Sequence, residues 1–264
     1  MSLQVRDLSV TTAAGTSLLD GCSWSVESGG RLGIIGESGS GKSLTALAIL
    51  GLLPPGMQVS GSVVLDGEEL IGRSERWLRT VRGRRVAMVF QEPLTALDPL
   101  MTVGKQIAGP LRLHRLAQGR RSDRVRELLS EVALSDTDRI LGSYPWQLSG
   151  GQRQRVSIAM ALACEPQVLI ADEPTTALDV TVQAEILALL DGLIARTGIT
   201  LVFISHDLPV VSRVAERLAV MRNGRVVEES SLEQVLREPG DAYTRELIAS
   251  ARRMSALPQA GGER

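Results

Sequence analysis

The segment Gly36-Glu37-Ser38-Gly39-Ser40-Gly41-Lys42-Ser43 constrains this chain more than any other. It follows the apolar run Leu32-Gly33-Ile34-Ile35 and precedes an apolar, helix-like stretch from Leu44 to Leu53. Strand, glycine-rich loop and helix arrive in the order that a phosphate cradle requires. Three glycines and three serines let the backbone curl so that several N–H groups point inward at an anion. The helix behind the loop adds its positive dipole end at the same spot. Lys42 is placed to reach the β- and γ-phosphates, and the Ser43 hydroxyl to hold Mg²⁺. A Gly/Ser turn that merely links strand to helix is the bland alternative. With the complete G-x-x-x-x-G-K-S pattern in its expected setting, nucleotide binding is the stronger reading.

The rest of the chain reads as an α/β fold around this unit. Leu3 to Val10 and Leu18 to Val26 suggest short strands about a turn at Ala13-Ala14-Gly15. Leu52 to Gly61 reads as a loop, and Val63-Val64-Leu65 with Asp66-Gly67 as part of a small hairpin layer. Val86 to Phe90 is a further buried strand. From Glu92 to Gln147 helical spacing takes over, in Val103 to His114 and Asp123 to Val132, on either side of a polar loop at 118–122. A helix at Gln152–Cys164, a strand at Val168–Ala171, a helix at Thr181–Arg196 and a strand at Thr200–Ile204 follow. A strand-turn-strand about Asn223-Gly224 closes the series. Alternating strands and helices imply a mostly parallel sheet. The tail around Leu257-Pro258 is expected to be disordered.

Four of these strands end in polar residues, at Ile35, at Phe90 before Gln91, at Ala171 before Asp172-Glu173, and at Ile204 before Ser205-His206. In a parallel sheet such ends line one edge, where ligands bind. Asp172 is placed to bind Mg²⁺. Glu173 is the natural base for an attacking water. An Asp–Glu pair alone is most often a solvated strand end; opposite a phosphate loop that reading loses. Gln91 can touch the metal or the water, and His206 can bond the γ-phosphate. His114 fits a surface or internally satisfied histidine better. Leu148-Ser149-Gly150-Gly151-Gln152 then runs straight into a helix, making a second anion-binding N-terminus with Ser149 as side-chain donor. One nucleotide does not need two cradles, so the second is expected to close on ATP held by another subunit, two chains packing head to tail.

The phosphate loop, Leu148–Gln152, Val168–Glu173, Gln91, Ala177-Leu178-Asp179 and His206, in this order, resemble the ATP-binding cassette ATPases over residues 3 to 250. Finer matches are Gln91-Glu92-Pro93-Leu94-Thr95-Ala96-Leu97-Asp98-Pro99, Ile158 to Ala163, Pro174 to Ala184, and Pro239 with Tyr243-Thr244-Arg245. They resemble the oligopeptide/dipeptide/nickel branch of bacterial importers. The resemblance implies a P-loop NTPase (RecA-like) core with an antiparallel β subdomain, residues 1–91 and 150–232. An inserted helical subdomain spans 92–149, and a C-terminal helix and tail span 233–264. It implies a peripheral ATPase at the cytoplasmic face of the inner membrane. Its partners would be a second such subunit, identical or sister, two membrane permease subunits and an extracytoplasmic solute-binding protein. The cargo would be peptides or nickel- or metal-chelate-type solutes. It carries nucleotide contacts onto Gly36 to Ser43, Ser149, Gly150, Gly151, Gln152 and Asp179, and catalysis onto Glu173, His206 and Gln91. Mg²⁺ ligation falls to Ser43, Gln91 and Asp172. The segment near Gln91 to Val103 would receive the membrane subunits.

Three departures qualify the match. Thr12 stands where many members stack adenine on an aromatic ring, a contact worth about 1–3 kcal/mol. Asp241-Ala242 replaces a histidine before the tyrosine of the C-terminal motif. Peptide-importing relatives often carry a C-terminal cysteine cluster; this sequence has two cysteines, Cys22 and Cys164, so no iron–sulfur cluster is expected. Both are expected to be buried thiols rather than a disulfide, because the N-terminus lacks a secretory h-region and the compartment reads as cytoplasmic.

The rival function is a non-transport cassette ATPase acting on DNA or the ribosome, for which Arg73, Arg76, Arg79, Arg82, Arg84 and Arg85 would touch phosphates. A net charge of −1 gives no global case for nucleic acid, and such a run is more often a solvated face. The longest apolar run is too short to span a bilayer.

Overall fold

The computed structural model describes residues 2–92, 96–176 and 178–256. Pro93-Leu94-Thr95, Ala177 and the tail from Leu257 onward, all named above, lie outside the described residues. The strands are β1 (Ser2–Thr11), β2 (Ser17–Glu27), β3 (Arg31–Ile35), β4 (Gln58–Leu65), β5 (Glu68–Glu69), β6 (Val86–Val89), β7 (Val168–Asp172), β8 (Thr200–Ser205), β9 (Arg217–Arg222) and β10 (Arg225–Ser231). The helices are α1 (Lys42–Ile49), α2 (Glu75–Val81), α3 (Val103–Leu113), α4 (Arg121–Glu131), α5 (Thr137–Gly142), α6 (Gly150–Leu162), α7 (Val180–Thr197), α8 (Leu208–Val211), α9 (Leu232–Arg237) and α10 (Ala242–Ala256). A 3-10 turn spans Pro145–Gln147.

A six-stranded sheet ordered β10-β9-β3-β8-β7-β6 forms the centre. Its pairings are parallel from β9 to β6, and only β10 runs antiparallel. The parallel strands are near-continuous apolar runs because both faces are covered. Leu32, Ile34, Ile170 and Ile204 point to one face, where they meet α1 and a four-stranded antiparallel sheet ordered β2-β1-β4-β5. Ile35, Leu169, Ala171 and Phe203 point to the other, where they meet the helical segment and α7. The period-2 alternation of side chains thus splits one sheet between two cores.

The expected α/β architecture holds, with local corrections. The stretch read as a loop from Leu52 to Gly61 already pairs as strand from Gln58, with Thr11 opposite Gln58. Its first residues are exposed, and a lone Val59 between Gln58 and Ser60 marks no apolar alternation. Strand β6 ends at Val89, and Phe90 leaves the sheet with 38% of its surface exposed. The basic run contains helix α2, capped by the Ser74 hydroxyl, which accepts from the Trp77 amide at 3.4 Å. Two of its arginines are internal fasteners. Arg82 donates to the Glu75 carboxylate at 2.7 and 3.0 Å and to the Leu50 and Gly51 carbonyls. Arg85 pairs with Glu68 and Asp66. His114 is satisfied by the Arg82 carbonyl at 2.9 Å, and Cys22 and Cys164 are free, buried thiols. Among the described residues no helix is long and apolar enough to cross a membrane.

Candidate active site

The sheet brings the four strand ends to one edge in register. Ile35 lies beside Ser205, Ile204 beside Asp172, and Ala171 beside Val89. The phosphate loop leaves β3 here and runs directly into α1. A cleft of about 260 Å³ opens above it, lined by Ser38, Gly39, Lys42, Ser43, Gln91 and Glu173. The loop is braced from behind: Ser40 accepts from the Gly224 amide at 3.1 Å, and the Glu37 amide donates to the Tyr243 hydroxyl at 3.0 Å. The Lys42 ammonium donates to the Gly36 and Glu37 carbonyls, each at 2.8 Å. Burial pushes the Lys42 pKa down, and the carboxylates of Glu173 and Asp172 oppose that.

Three separate strand ends converge on Glu173. Oε2 accepts from the Gln91 amide at 3.1 Å and from the Thr176 hydroxyl at 2.9 Å, and Oε1 lies 3.1 Å from His206 Nδ1. Its backbone sits at φ 45, a conformation that costs a non-glycine residue about 1–3 kcal/mol and recurs at functional sites. The Glu173 amide is held by the Ile204 carbonyl at 2.9 Å. A carboxylate so fixed can orient a water and take its proton. Thr176 was not singled out by the sequence. Its signal is the three-residue spacing from Glu173, which returns its hydroxyl to that carboxylate.

Asp172 is 4% exposed and accepts from the Ser43 hydroxyl at 3.0 Å. Burial raises its carboxyl, while the Ser43 hydrogen bond partly opposes the rise; the neighbouring Glu173 charge adds to it. A hydroxyl, a buried carboxylate and the Gln91 amide oxygen are the hard oxygen donors Mg²⁺ prefers, so the donor set fits that ion.

The second expected anion site stands apart. Ser149 Oγ accepts from the Gln152 amide at 3.2 Å, and Gln152 Oε1 accepts from the Ser149 amide at 3.1 Å, a capping box at the start of α6. The oxygen of Ser149 therefore acts as acceptor within the chain, leaving its hydroxyl proton to donate outward. Gly150 and Gly151 face Leu178 and Val182, where an added Cβ would come within 3.4 and 2.6 Å. Asp179 caps α7, accepting from the Val182 amide at 3.0 Å. Thr12, in the position expected against adenine, accepts from the Thr16 amide at 3.1 Å and closes the β1–β2 turn.

A central parallel sheet, a lysine-bearing phosphate loop at its carboxyl edge and an acidic strand end opposite define a P-loop nucleoside triphosphatase. The family model described as ABC transporter matches residues 19–176, and the chain belongs to this family. It is an ATP-binding, ATP-hydrolysing cassette subunit. It is 47% identical to "Probable peptide ABC transporter ATP-binding protein y4tR" of Sinorhizobium fredii, over 98% of this chain and 81% of that protein. It is 42% identical to "Oligopeptide transport ATP-binding protein OppD" of Bacillus subtilis, over 99% and 74%. Among solved structures, the ATP-binding cassette MJ0796, dimeric in a post-hydrolysis state with ADP and Pi, superposes with a TM-score of 0.77 at 31% identity, over 87% of this chain and 98% of that one.

Proposed function

We propose that this chain powers a bacterial importer of the peptide branch, hydrolysing ATP beneath two membrane permease subunits fed by a solute-binding protein. The convergence of Gln91, Thr176 and His206 on the Glu173 carboxylate beside the phosphate loop carries the reading. Glu173 takes the proton of the water that attacks the γ-phosphate, and Gln91 and Thr176 fix its orientation. His206 leaves Nε2 for the γ-phosphate while Nδ1 faces Glu173. The amides of residues 37–43 and the Lys42 ammonium hold the phosphates. Ser43, Asp172 and the Gln91 amide oxygen would hold Mg²⁺, which when bound neutralises charge on the phosphate oxygens. Ser149, Gly150, Gly151, Gln152 and Asp179 act on the nucleotide of a second subunit.

The peptide and oligopeptide transport relatives favour peptides over nickel chelates as cargo. A groove of about 240 Å³ between the sheet and the helical segment, lined by Leu52, Phe90, Pro110 and Met160, suits an apolar element of a permease. Such docking would hold the subunit peripherally at the inner face of the cell membrane. The test is recovery of tagged Glu173→Gln protein from native membranes in ATP, with partners read by mass spectrometry. Two polytopic proteins and a second cassette are the expected set. Ribosomal or DNA-repair proteins without a membrane protein would overturn the importer reading.

A further inference from the structure

The C-terminal match Pro239…Tyr243-Thr244-Arg245 plays no part in the chemistry above, yet the fold carries it back to the phosphate loop. The Tyr243 side chain is 3% exposed, and its hydroxyl oxygen receives the Glu37 amide at 3.0 Å, across 206 positions of sequence. The Arg222 guanidinium lies 4.6 Å from the centre of the same ring. The preceding residue, Met221, backs the loop as well: a Cβ on Gly36 would sit 2.1 Å from its carbonyl oxygen. The opening of the loop is thus wedged between the end of β9 and the first turn of α10.

The tyrosine is itself held. The Glu228 carboxylate on β10 accepts from the Gly240 amide at 2.9 Å and from the Asp241 amide at 3.0 Å. Asp241 Oδ1 then accepts from the Tyr243 amide at 2.8 Å, starting the helix. Glu37 is where this strap meets the site, since its carbonyl accepts from Lys42 while its amide is held by Tyr243. Fixing that residue fixes the starting point of the lysine and the entry to the amide cradle.

We propose that Tyr243 is a positioning residue for the phosphate loop, its hydroxyl pinning the Glu37 peptide so that the loop is preorganised for nucleotide. The proposal rests on the nucleotide reading of that loop. It makes the C-terminal segment part of the ATP site in this chain, although Tyr243 itself touches neither phosphate nor metal. Preorganisation acts on affinity, because the cost of ordering the loop is met before the ligand arrives.

The test uses the full chain and ADP, which binds without turnover. In Tyr243→Phe the ring and its Arg222 contact remain and only the hydroxyl is lost. The expected result is a Kd for ADP weakened by about three- to tenfold, the range of one lost neutral hydrogen bond. Under turnover KM for ATP rises similarly while kcat changes little, and hydrogen exchange accelerates at the Glu37 amide. Glu228→Gln, which loosens the strap without touching the loop, is expected to shift Kd in the same direction by less. Unchanged Kd and unchanged Glu37 exchange in Tyr243→Phe, with wild type binding ADP normally, would overturn the proposal. So would a general rise in exchange throughout the chain with KM unmoved, the mark of a merely structural tyrosine. Wild-type protein that fails to bind ADP would instead overturn the nucleotide reading beneath it.

Discussion

At the scale of single residues, Glu173 sits where the chain tolerates backbone strain to aim a carboxylate. Replacing it by glutamine keeps the shape and the capacity to accept from Gln91 and Thr176, but removes the carboxylate proposed as the base. Glu173→Gln is expected to bind ATP normally and to lose turnover by about 10²- to 10⁴-fold, the usual weight of a positioned general base. Near-normal steady-state hydrolysis would remove the residue from that role. The two thiols give a control on burial. The Cys164 thiol is pushed up to about 11, chiefly by burial, with the neighbouring Glu165 charge adding to the rise and Arg84 opposing it. Cys22, fully buried, donates its thiol to the Gly224 carbonyl at 3.0 Å. Neither is expected to react with a maleimide at neutral pH until the chain is unfolded in urea, as read by intact mass. Asp172, Glu173, Gln91 and His206 were legible because each closes an apolar run, and parallel strands align such closures. Thr176 and Tyr243 were not: one acts through a turn within its own loop, the other from the far end of the chain.

At the scale of elements, the least legible parts are those whose cause is a partner rather than a pattern. The start of β4 is exposed on both faces, with Val59 its one apolar residue before Val63, and the backbone of β1 makes it a strand. The pairing needs a bulge at Asp7, whose φ is 48, and Gly61 lies directly against it. At φ 95, with a Cβ destined to fall 2.4 Å from the Asp7 carbonyl oxygen, alanine cannot fit there without moving the ladder. Gly61→Ala is expected to cost about 1–3 kcal/mol in urea unfolding, and an unchanged midpoint would mean that the bulge yields freely. Helix α2 was hidden for a related reason, since arginines that look like a basic face are spent on Glu75, Glu68 and nearby carbonyls. The C-terminal strap carries a pH signature. Burial raises the Glu228 carboxyl, but the amides of Gly240 and Asp241 outweigh it and hold the group below its ordinary value of 4.5. A depressed carboxylate stabilises the fold above the unfolded value, and that contribution is lost as pH falls through the folded value. The stability gap between wild type and Glu228→Gln is therefore expected to be widest at neutral pH and to close in acid. Thermal melts across that range would read it, and a gap independent of pH would show that the carboxylate's charge is not what holds the strap.

At the scale of the whole molecule, the N-termini of α1 and α6, both proposed to meet phosphate, are anchored to different neighbours. The phosphate loop leans on Met221, Gly224 and Tyr243, whereas Ser149–Gln152 leans on Leu178 and Val182. If the second acts on a partner's nucleotide, the two halves of an active site belong to different copies, and mutants can complement. Ser149→Arg fills the second cradle with a bulky cation while leaving the phosphate loop of its own chain intact. Dilute Ser149→Arg protein is expected to bind ADP like wild type yet to lose turnover by about 10²-fold or more, as when preorganised donors are removed. Glu173→Gln is expected to fail for the opposite reason, with an intact cradle and no carboxylate to act as the proposed base. When the two are mixed, a dimer with one subunit of each contains one complete site: the loop and Glu173 of the first variant facing Ser149 of the second. Equal mixing makes half the dimers mixed, each with one good site of two, so about a quarter of wild-type turnover returns if sites act independently. A cradle that served its own chain would give no such recovery, because neither variant would carry a complete site in any pairing. Titrating one inactive variant into the other, with ATP hydrolysis as the readout, therefore separates an active site shared between chains from one contained within each.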